Sequence, residues 1–494
     1  MSARSYLGTA AAAALLAAAP LVAFLTTNQY PLASPEAGLL LAACAAGGAL
    51  LGLSALLGAS AAALALGAAA VLSLDLLFGL HASKAALVLV PLACLLLRRH
   101  IALVITAAFS VLFATTAFAR SEPPVMLHIV LDEHIGLDGI PRGIAGGAEF
   151  ERWLAGSWLD AGFRIHAGAY SQYADTRNSI ANLLNFSSSA DDWAHFDAGR
   201  SKPYVLARSA YFRHLAARGY RLHVYQSDYM DFCRVPGVTY ASCFSYRANS
   251  VGALPGTSLG TLERVRLIVN SFLATSSYLN RLRSMVGYHA VSRVGPIPVL
   301  RALERLEQDL RRASPGQAYF AHLLIPHYPY VLDEACRIRE HVGDWLYNVV
   351  AHDAPVPNSA DSRAERYRRY FAQIRCQQRL LRRLFDALEQ AGAWRDAHVI
   401  VHGDHGSRIA RRLAVTENAG RLAPEDFADH FSTLFAVRMP GTQAEVSRGP
   451  RTLQELLREV LGLPAQRSPA LVYLRTPDGD SLIPLPRDTG PAPR

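Results

Sequence analysis

The sequence predicts two parts in series. Residues 1–120 read as a bundle of apolar helices, and residues 121–483 as an α/β domain with a mostly parallel central sheet. Residues 484–494 read as a disordered, proline-rich tail. Three observations lead there. Residues 1–119 hold only Arg4, Glu36, Asp75, Lys84, Arg98 and Arg99 as formal charges, and charges become frequent only after Arg120. Short continuous apolar runs recur beyond that point, as buried strands do. Amphipathic stretches alternate with those runs, the pattern of a parallel sheet with helices on both faces.

The N-terminal part has five apolar runs, at 6–27, 37–57, 61–80, 85–97 and 101–118. A spanning helix needs about 20 apolar residues, with ~17 as the lower end. The fourth run is short, so the count is four or five, and charge placement favours five. Arg4 and the Arg98-Arg99-His100 cluster then share the cytoplasmic side, as the positive-inside rule expects. Everything after Arg120 is outside the cytoplasm in that arrangement. A cleaved signal peptide is the alternative for the first run, but Arg4 alone makes a thin basic region and more apolar runs follow.

The chain carries a formal net charge of +9, nearly all of it from arginine; Lys84 and Lys202 are the only lysines. No basic stripe is interleaved with aromatic residues, so a nucleic-acid partner is not expected. The cysteines fit an oxidising compartment. Cys44 and Cys94 lie in apolar runs as small packing residues. Cys233 with Cys243, around Pro236-Gly237, and Cys336 with Cys376 are expected to form disulfides. Free buried thiols are the alternative.

Strands are expected at 125–131, 220–226, 318–325, 398–402 and 431–437. Helices are expected at 203–218, 299–313 and 364–389. The segment 250–298 is amphipathic and contains arginines. It reads as a helix pair covering the sheet, with a helical insertion at a membrane surface as the other option.

Chemistry concentrates at strand ends, where open parallel sheets bind ligands. Asp404 and His405 follow the 398–402 run across Gly403, and an acid beside an imidazole suits a borderline divalent cation. Asp132 and Glu133 follow the first strand directly. Thr176 opens an amphipathic segment, Thr176-Arg177-Asn178-Ser179-Ile180. A hydroxyl there sits beside backbone N–H groups and a positive dipole end, where a phosphate or oxyanion binds. Plain N-capping by Asp175 or Thr176 is the competing reading. His322 lies inside its strand and reads as a structural histidine, whereas His327 leaves the strand end toward a substrate. His430 begins the last strand in this reading, and His402 is ambiguous.

On these residues the chain resembles the membrane-anchored branch of the alkaline phosphatase and sulfatase superfamily. That branch includes lipoteichoic acid synthases, phosphoglycerol transferases and phosphoethanolamine transferases. Gly403-Asp404-His405-Gly406 matches its Asp-His metal motif. Leu131-Asp132-Glu133 falls where the family places its first-strand metal acid, with Glu133 aligned to the transferases' glutamate. Thr176, with Ser179 and Ile180 following, is similar to the nucleophilic threonine motif. Pro326-His327-Tyr328-Pro329-Tyr330 resembles a substrate-site run of lipoteichoic acid synthases. His430 resembles the histidine that follows the Asp-His motif in phosphoethanolamine transferases.

The resemblance implies a sulfatase-like domain holding one divalent metal ion, zinc or manganese, through Glu133, Thr176, Asp404 and His405, with Asp132 alongside. It implies Thr176 as nucleophile and His327 and His430 as phosphate-binding or proton-transferring groups. It further implies a phospholipid donor of phosphoethanolamine or phosphoglycerol, an envelope glycan or lipid acceptor, and a place in the bacterial cytoplasmic membrane with the catalytic domain in the periplasm. Three departures stand out, the first being that the ligand set for a second permanent metal is incomplete, which argues for a one-metal site. No Cys or Ser lies in a Cys/Ser-x-Pro-x-Arg sequence, the motif of true sulfatases, and Ala181 replaces the proline usual after the threonine motif. A membrane-bound sulfatase or phosphatase, and a degenerate non-enzymatic glycan-binding protein, are the rival expectations.

Overall fold

A computed structural model of the chain describes residues 3–27, 35–78, 122–199, 202–274, 294–346, 358–409, 411–476 and 482–486. The chain divides into two compact units, Met1–Ser121 and Glu122–Arg494.

In the first unit, α1 (Ala3–Thr27), α2 (Pro35–Gly52) and α3 (Ala59–Phe78) are built from small and apolar residues. Ala12, Ala13 and Leu16 of α1 and Ala63 and Leu66 of α3 form a shared core. A Cβ on Gly48 would lie 2.4 Å from the Ala13 carbonyl oxygen, so glycine there lets α1 and α2 touch along their backbones. Among the described residues no helix is long and apolar enough to cross a membrane, so the expected transmembrane bundle is not shown. The runs at 85–97 and 101–118, with Cys94, lie outside the described residues.

The second unit is built on an eight-stranded sheet. Its strands are β1 (Met126–Leu131), β2 (Arg164–His166), β3 (Arg221–Ser227), β4 (Tyr240–Tyr246), β5 (Gln317–Leu323), β6 (His398–Gly403), β7 (Phe435–Arg438) and β8 (Val446–Ser447). The order across the sheet is β8-β2-β7-β6-β1-β5-β3-β4. Strands β6, β1, β5, β3 and β4 run parallel, and β7 joins β6 antiparallel. All six residues of β1 are buried, as a strand covered on both faces requires.

Alternation along β1 divides the core in two. Leu127, Ile129 and Leu131 pack with α4 (Gly147–Leu159), α8 (Pro296–Leu310) and α9 (Ala360–Gln390). Met126 and Val130 pack with α5 (Thr176–Leu183), α6 (Ala210–Ala217) and α11 (Leu453–Val460). Two further helices, α7 (Thr261–Ala274) and α10 (Pro424–Phe431), complete the described set. Both expected disulfides form, Cys233–Cys243 and Cys336–Cys376.

Several expected boundaries move. The helix expected over 203–218 starts at Ala210, because the Ser209 side chain accepts the Phe212 N–H and caps it there. The strand expected from 431 starts at Phe435: residues 424–431 are α10, opened by Pro424 and by an Asp426 carboxylate that accepts the Ala423 N–H. His430 therefore lies on a helix and does not begin the last strand. Of the segment 250–298, α7 buries Leu267 in the core and leaves Leu262, Val265 and Ile268 exposed, while residues 275–293 lie outside the described residues. The tail read from Pro484 starts later, since Leu482–Pro486 pairs antiparallel with Leu471–Arg475; residues 487–494 lie outside the described residues.

Candidate metal centre

The register of the sheet assembles the site. Leu131 at the end of β1 pairs with Leu323 of β5 and Gly403 of β6, so three strand ends lie side by side. The ladder continues one step: the Asp132 N–H donates to the Leu323 carbonyl and the Asp404 N–H to the Leu131 carbonyl. Alternation then selects the residues. Val130 is level with His322 and His402, and Asp132 follows on the same face, the one that α5 covers.

Thr176 comes from α5. The N-cap is Asp175, whose carboxylate accepts the Asn178 N–H at 3.1 Å. Arg475 lies 3.0 Å from Asp175, and Arg177 pairs with buried Asp192, which pins the helix start. Capping thus falls to Asp175, and the Thr176 hydroxyl is left to face the strand ends. Its Oγ1 is 3.4 Å from Asp132 Oδ1 and 3.4 Å from His405 Nε2. Ser179 is committed elsewhere: its hydroxyl donates to the Asp404 carbonyl at 2.5 Å and accepts from Ser171.

The turn carrying Asp404 and His405 is tightly fixed. A Cβ on Gly403 would meet Thr433 Oγ1 at 2.3 Å, and one on Gly406 would meet the Asp429 carbonyl at 1.9 Å, so only glycine fits either side of the pair. The Ser407 and Tyr367 hydroxyls both donate to the Asp429 carboxylate and hold the turn from α10 and α9.

Asp132, Asp404 and His405 are almost wholly buried. His405 Nδ1 lies 2.9 Å from the Gly406 carbonyl and therefore carries the hydrogen, which leaves Nε2 as a lone pair. That nitrogen is 3.4 Å from Asp404 Oδ2 and 3.9 Å from Asp132 Oδ1. Asp404 Oδ1 accepts the Glu133 and His405 N–H groups, but Oδ2 has no hydrogen-bond donor. Acceptors thus face acceptors in a dry place, which is costly unless a cation lies among them.

His322 joins them. Both its ring nitrogens lack hydrogen-bond partners, its Nε2 is 3.8 Å from Asp132 Oδ2, and its ligand atom falls within 4.8 Å of those of Asp132 and Asp404. The residues present therefore fit a divalent ion. Sequence reading missed His322 because nothing inside an apolar strand signals which neighbours its face will meet.

Electrostatics agrees with that fit. Burial, followed by the Asp404 and Glu133 carboxylates, pushes Asp132 well above the ordinary carboxylate value. Burial also opposes the charge of Asp404, but the neighbouring His405 and the Glu133 N–H that it accepts hold the group low. Burial brings His322 down to about 4, so its imidazole is neutral and able to ligate.

Glu133 stands apart from Thr176. Its backbone adopts φ 64°, and its carboxylate pairs with Arg408, whose Nε is 2.8 Å from Oε1. The Tyr328 N–H donates to Oε2 and His327 Nε2 lies 3.8 Å from Oε1. Burial works against Glu133's charge, yet Arg408, then His327 and His405, hold it below the ordinary value. Asp132, rather than the aligned Glu133, is thus the acid beside Thr176. Arg408 was not singled out in the sequence. His430 also lies apart. Its ring Nε2 meets the Arg412 carbonyl at 2.6 Å, and its backbone carbonyl accepts the Gly406 N–H of the turn that carries Asp404 and His405.

No family model matches the chain, and no curated protein does. Solved structures of alkaline phosphatase superfamily members do. The zinc complex of the C-terminal periplasmic domain of EptC from Escherichia coli is 12% identical, with a TM-score of 0.44 over 75% of this chain and 94% of that one. The phosphonate monoester hydrolase of Agrobacterium radiobacter is 12% identical, with a TM-score of 0.42 over 71% and 80%. The lipoteichoic acid synthase LtaP of Listeria monocytogenes is 12% identical, with a TM-score of 0.36 over 70% and 73%.

Proposed function

We propose that the protein is a membrane-anchored, cation-dependent transferase. It moves a phosphoethanolamine or phosphoglycerol head group from a phospholipid to a glycan or lipid of the cell envelope, through a phosphothreonine at Thr176. The observation that carries this reading is the Thr176 hydroxyl. It is relieved of capping by Asp175 and faces Asp132 and His405 across 3.4 Å at the start of a helix.

Asp132, Thr176, Asp404 and His405 would hold one zinc or manganese ion, with His322 as a further donor and Glu133 at its flank. When bound, such an ion lowers the hydroxyl's pKa and neutralises charge on the phosphoryl oxygens. Thr176 Oγ1 attacks the donor phosphorus as the bond to the diacylglycerol oxygen breaks; the proton that Thr176 gives up passes to that oxygen, and diacylglycerol leaves. The backbone N–H groups at the start of α5 face the phosphoryl oxygens. An acceptor hydroxyl then attacks the phosphothreonine, and Thr176 regains its proton. His327, beside Glu133 and partly exposed, is positioned to contact the phosphate. His430 keeps an unpartnered Nδ1 and is the second candidate for proton transfer.

In this reading residues 1–120 anchor the chain by five spans in the cytoplasmic membrane, with residues 121–483 in the periplasm. Support comes from the near absence of charge over 1–119 and from the exposed leucines Leu39, Leu50 and Leu57. Reporter fusions at His100 and Ser121 are expected to give opposite signals, and matching signals overturn the five-span count.

The test of the chemistry is mass spectrometry of the full chain after exposure to a phospholipid labelled in its head group. A phosphate ester at Thr176 is expected, with Thr176→Ser partly active. Thr176→Ala should lose about 10⁴-fold or more in transfer, and Ser179→Ala should only weaken it. Modification at Ser179, or full turnover by Thr176→Ala, overturns the assignment. Release of free head-group phosphate with no acceptor product points instead to a hydrolase.

A further inference from the structure

We propose that the Arg408 guanidinium is a built-in second cation. It occupies the position among Asp132, Glu133 and His327 that would otherwise take a second divalent ion, and so holds the site at one ion per chain. This rests on the reading that Asp132, Thr176, Asp404 and His405 hold the first.

The geometry begins with two groups of donors that share Asp132. Ligand atoms of Asp132, His322 and Asp404 lie within 4.8 Å of one another, and so do those of Asp132, Glu133 and His327. Two adjoining groups bridged by one carboxylate is the arrangement of a two-ion site. The second group differs from the first in one respect. In the first, Asp404 Oδ2 and both His322 nitrogens lack hydrogen-bond partners. In the second, Arg408 is already present, with Nε 2.8 Å from Glu133 Oε1 and its Nη2 on the same oxygen.

Charge leads to the same number. Asp132, Glu133 and Asp404 are buried and bring three negative charges together. Arg408 brings one positive charge and a divalent ion two, which sum to zero. A second divalent ion beside Arg408 would leave two positive charges in excess. A divalent ion alone, without Arg408, would leave one carboxylate unbalanced, and a buried unpaired charge is the costly case.

The backbone is shaped to make this pair. Glu133 follows β1 with φ 64° and Arg408 follows the Asp-His turn of β6 with φ 56°, both in the left-handed region that side chains rarely adopt. Each lies just beyond the end of one of two adjacent strands, and together they bring the guanidinium onto the carboxylate. Glu133 is wholly buried while a quarter of the Arg408 side chain is exposed, so the guanidinium closes the second position from its outer side.

Metal content by elemental analysis tests this on the full chain in detergent, equilibrated with Zn²⁺ or Mn²⁺ and then freed of unbound ion. One ion per chain is expected for the wild type and for Arg408→Lys, which keeps the charge. Two are expected for Arg408→Gln, and one again for Arg408→Gln with Glu133→Gln, which removes the second group's acid. Should Arg408→Gln fail to fold, Arg408→Met, of similar length, is read the same way. A single ion in the folded Arg408→Gln or Arg408→Met protein overturns the inference while leaving the first site intact. A wild type that binds no ion overturns the metal reading itself, and this inference with it.

Discussion

Two buried polar clusters share strands β1 and β6, and they are built in opposite ways. Deep in the sheet, His128 and His402 meet through their Nε2 atoms at 2.8 Å, and the Tyr211 hydroxyl lies 2.7 Å from His128 Nδ1. His402 Nδ1 faces the Gly403 carbonyl at 2.7 Å and so carries the hydrogen. The remaining assignments follow in one direction. His128 Nε2–H donates to His402, and the Tyr211 hydroxyl donates to His128. Every partner is used and no charge is needed. Burial and the neighbouring His402 hold His128 well below its ordinary value, consistent with a neutral pair.

At the strand ends a few residues away, Asp132, Asp404 and His405 present acceptors to one another, with the Thr176 hydroxyl and one N–H of His322 as nearby donors. Burial of polar side chains is common to both clusters and does not by itself mark a functional site. The excess of acceptors over donors marks it, because a cation placed among them relieves that excess.

The comparison breaks first at Asp404. Asp404→Asn replaces one acceptor oxygen by a donor, and metal affinity is expected to fall at least about a hundredfold. Unchanged metal content in the folded variant would mean that no ion is held there. The next largest contrast is between two buried histidines. His322→Ala should weaken metal binding about 10–100-fold, whereas His128→Ala should leave metal content unchanged. Equal effects from the two would erase the distinction between the clusters.

A third expectation concerns stability. His128→Phe strands the Tyr211 hydroxyl and His402 Nε2, at a cost of about 1–3 kcal/mol. His128→Phe with His402→Phe removes both imidazoles and should cost less than the sum of the single changes, measured by denaturant unfolding. Additivity would show that the two rings do not depend on each other.

The smallest effect is on pH. The folded value of His128 lies below its unfolded value of about 6.5, so the unfolded chain binds the extra proton. Its contribution to stability is complete above about 6.5 and is lost as pH falls below that, at up to about 1.4 kcal/mol per pH unit. The double phenylalanine variant should show a shallower fall between pH 6.5 and 5. An identical slope would place the acid sensitivity in other groups.

Much of this was open to a reader of the sequence. The strands at β1, β3, β5 and β6 and the long helix α9 follow from apolar runs and helical spacing, which are properties of neighbouring residues. Asp404-His405 could be placed at a strand end because Gly403 and Gly406 bracket it in sequence, and the two disulfides because the cysteines fall into two neighbourhoods.

Other features required the assembled sheet. That Asp132 and not Glu133 faces Thr176 depends on which face α5 covers. That His322 meets Asp132 and Asp404 depends on β1 lying between β5 and β6 in a fixed register. That Arg408 lies on Glu133 depends on two loops 275 residues apart in sequence closing on each other. Local pattern is written residue by residue and can be read so. Which side chains converge is set by strand order and helix placement, and these emerge only when distant segments pack.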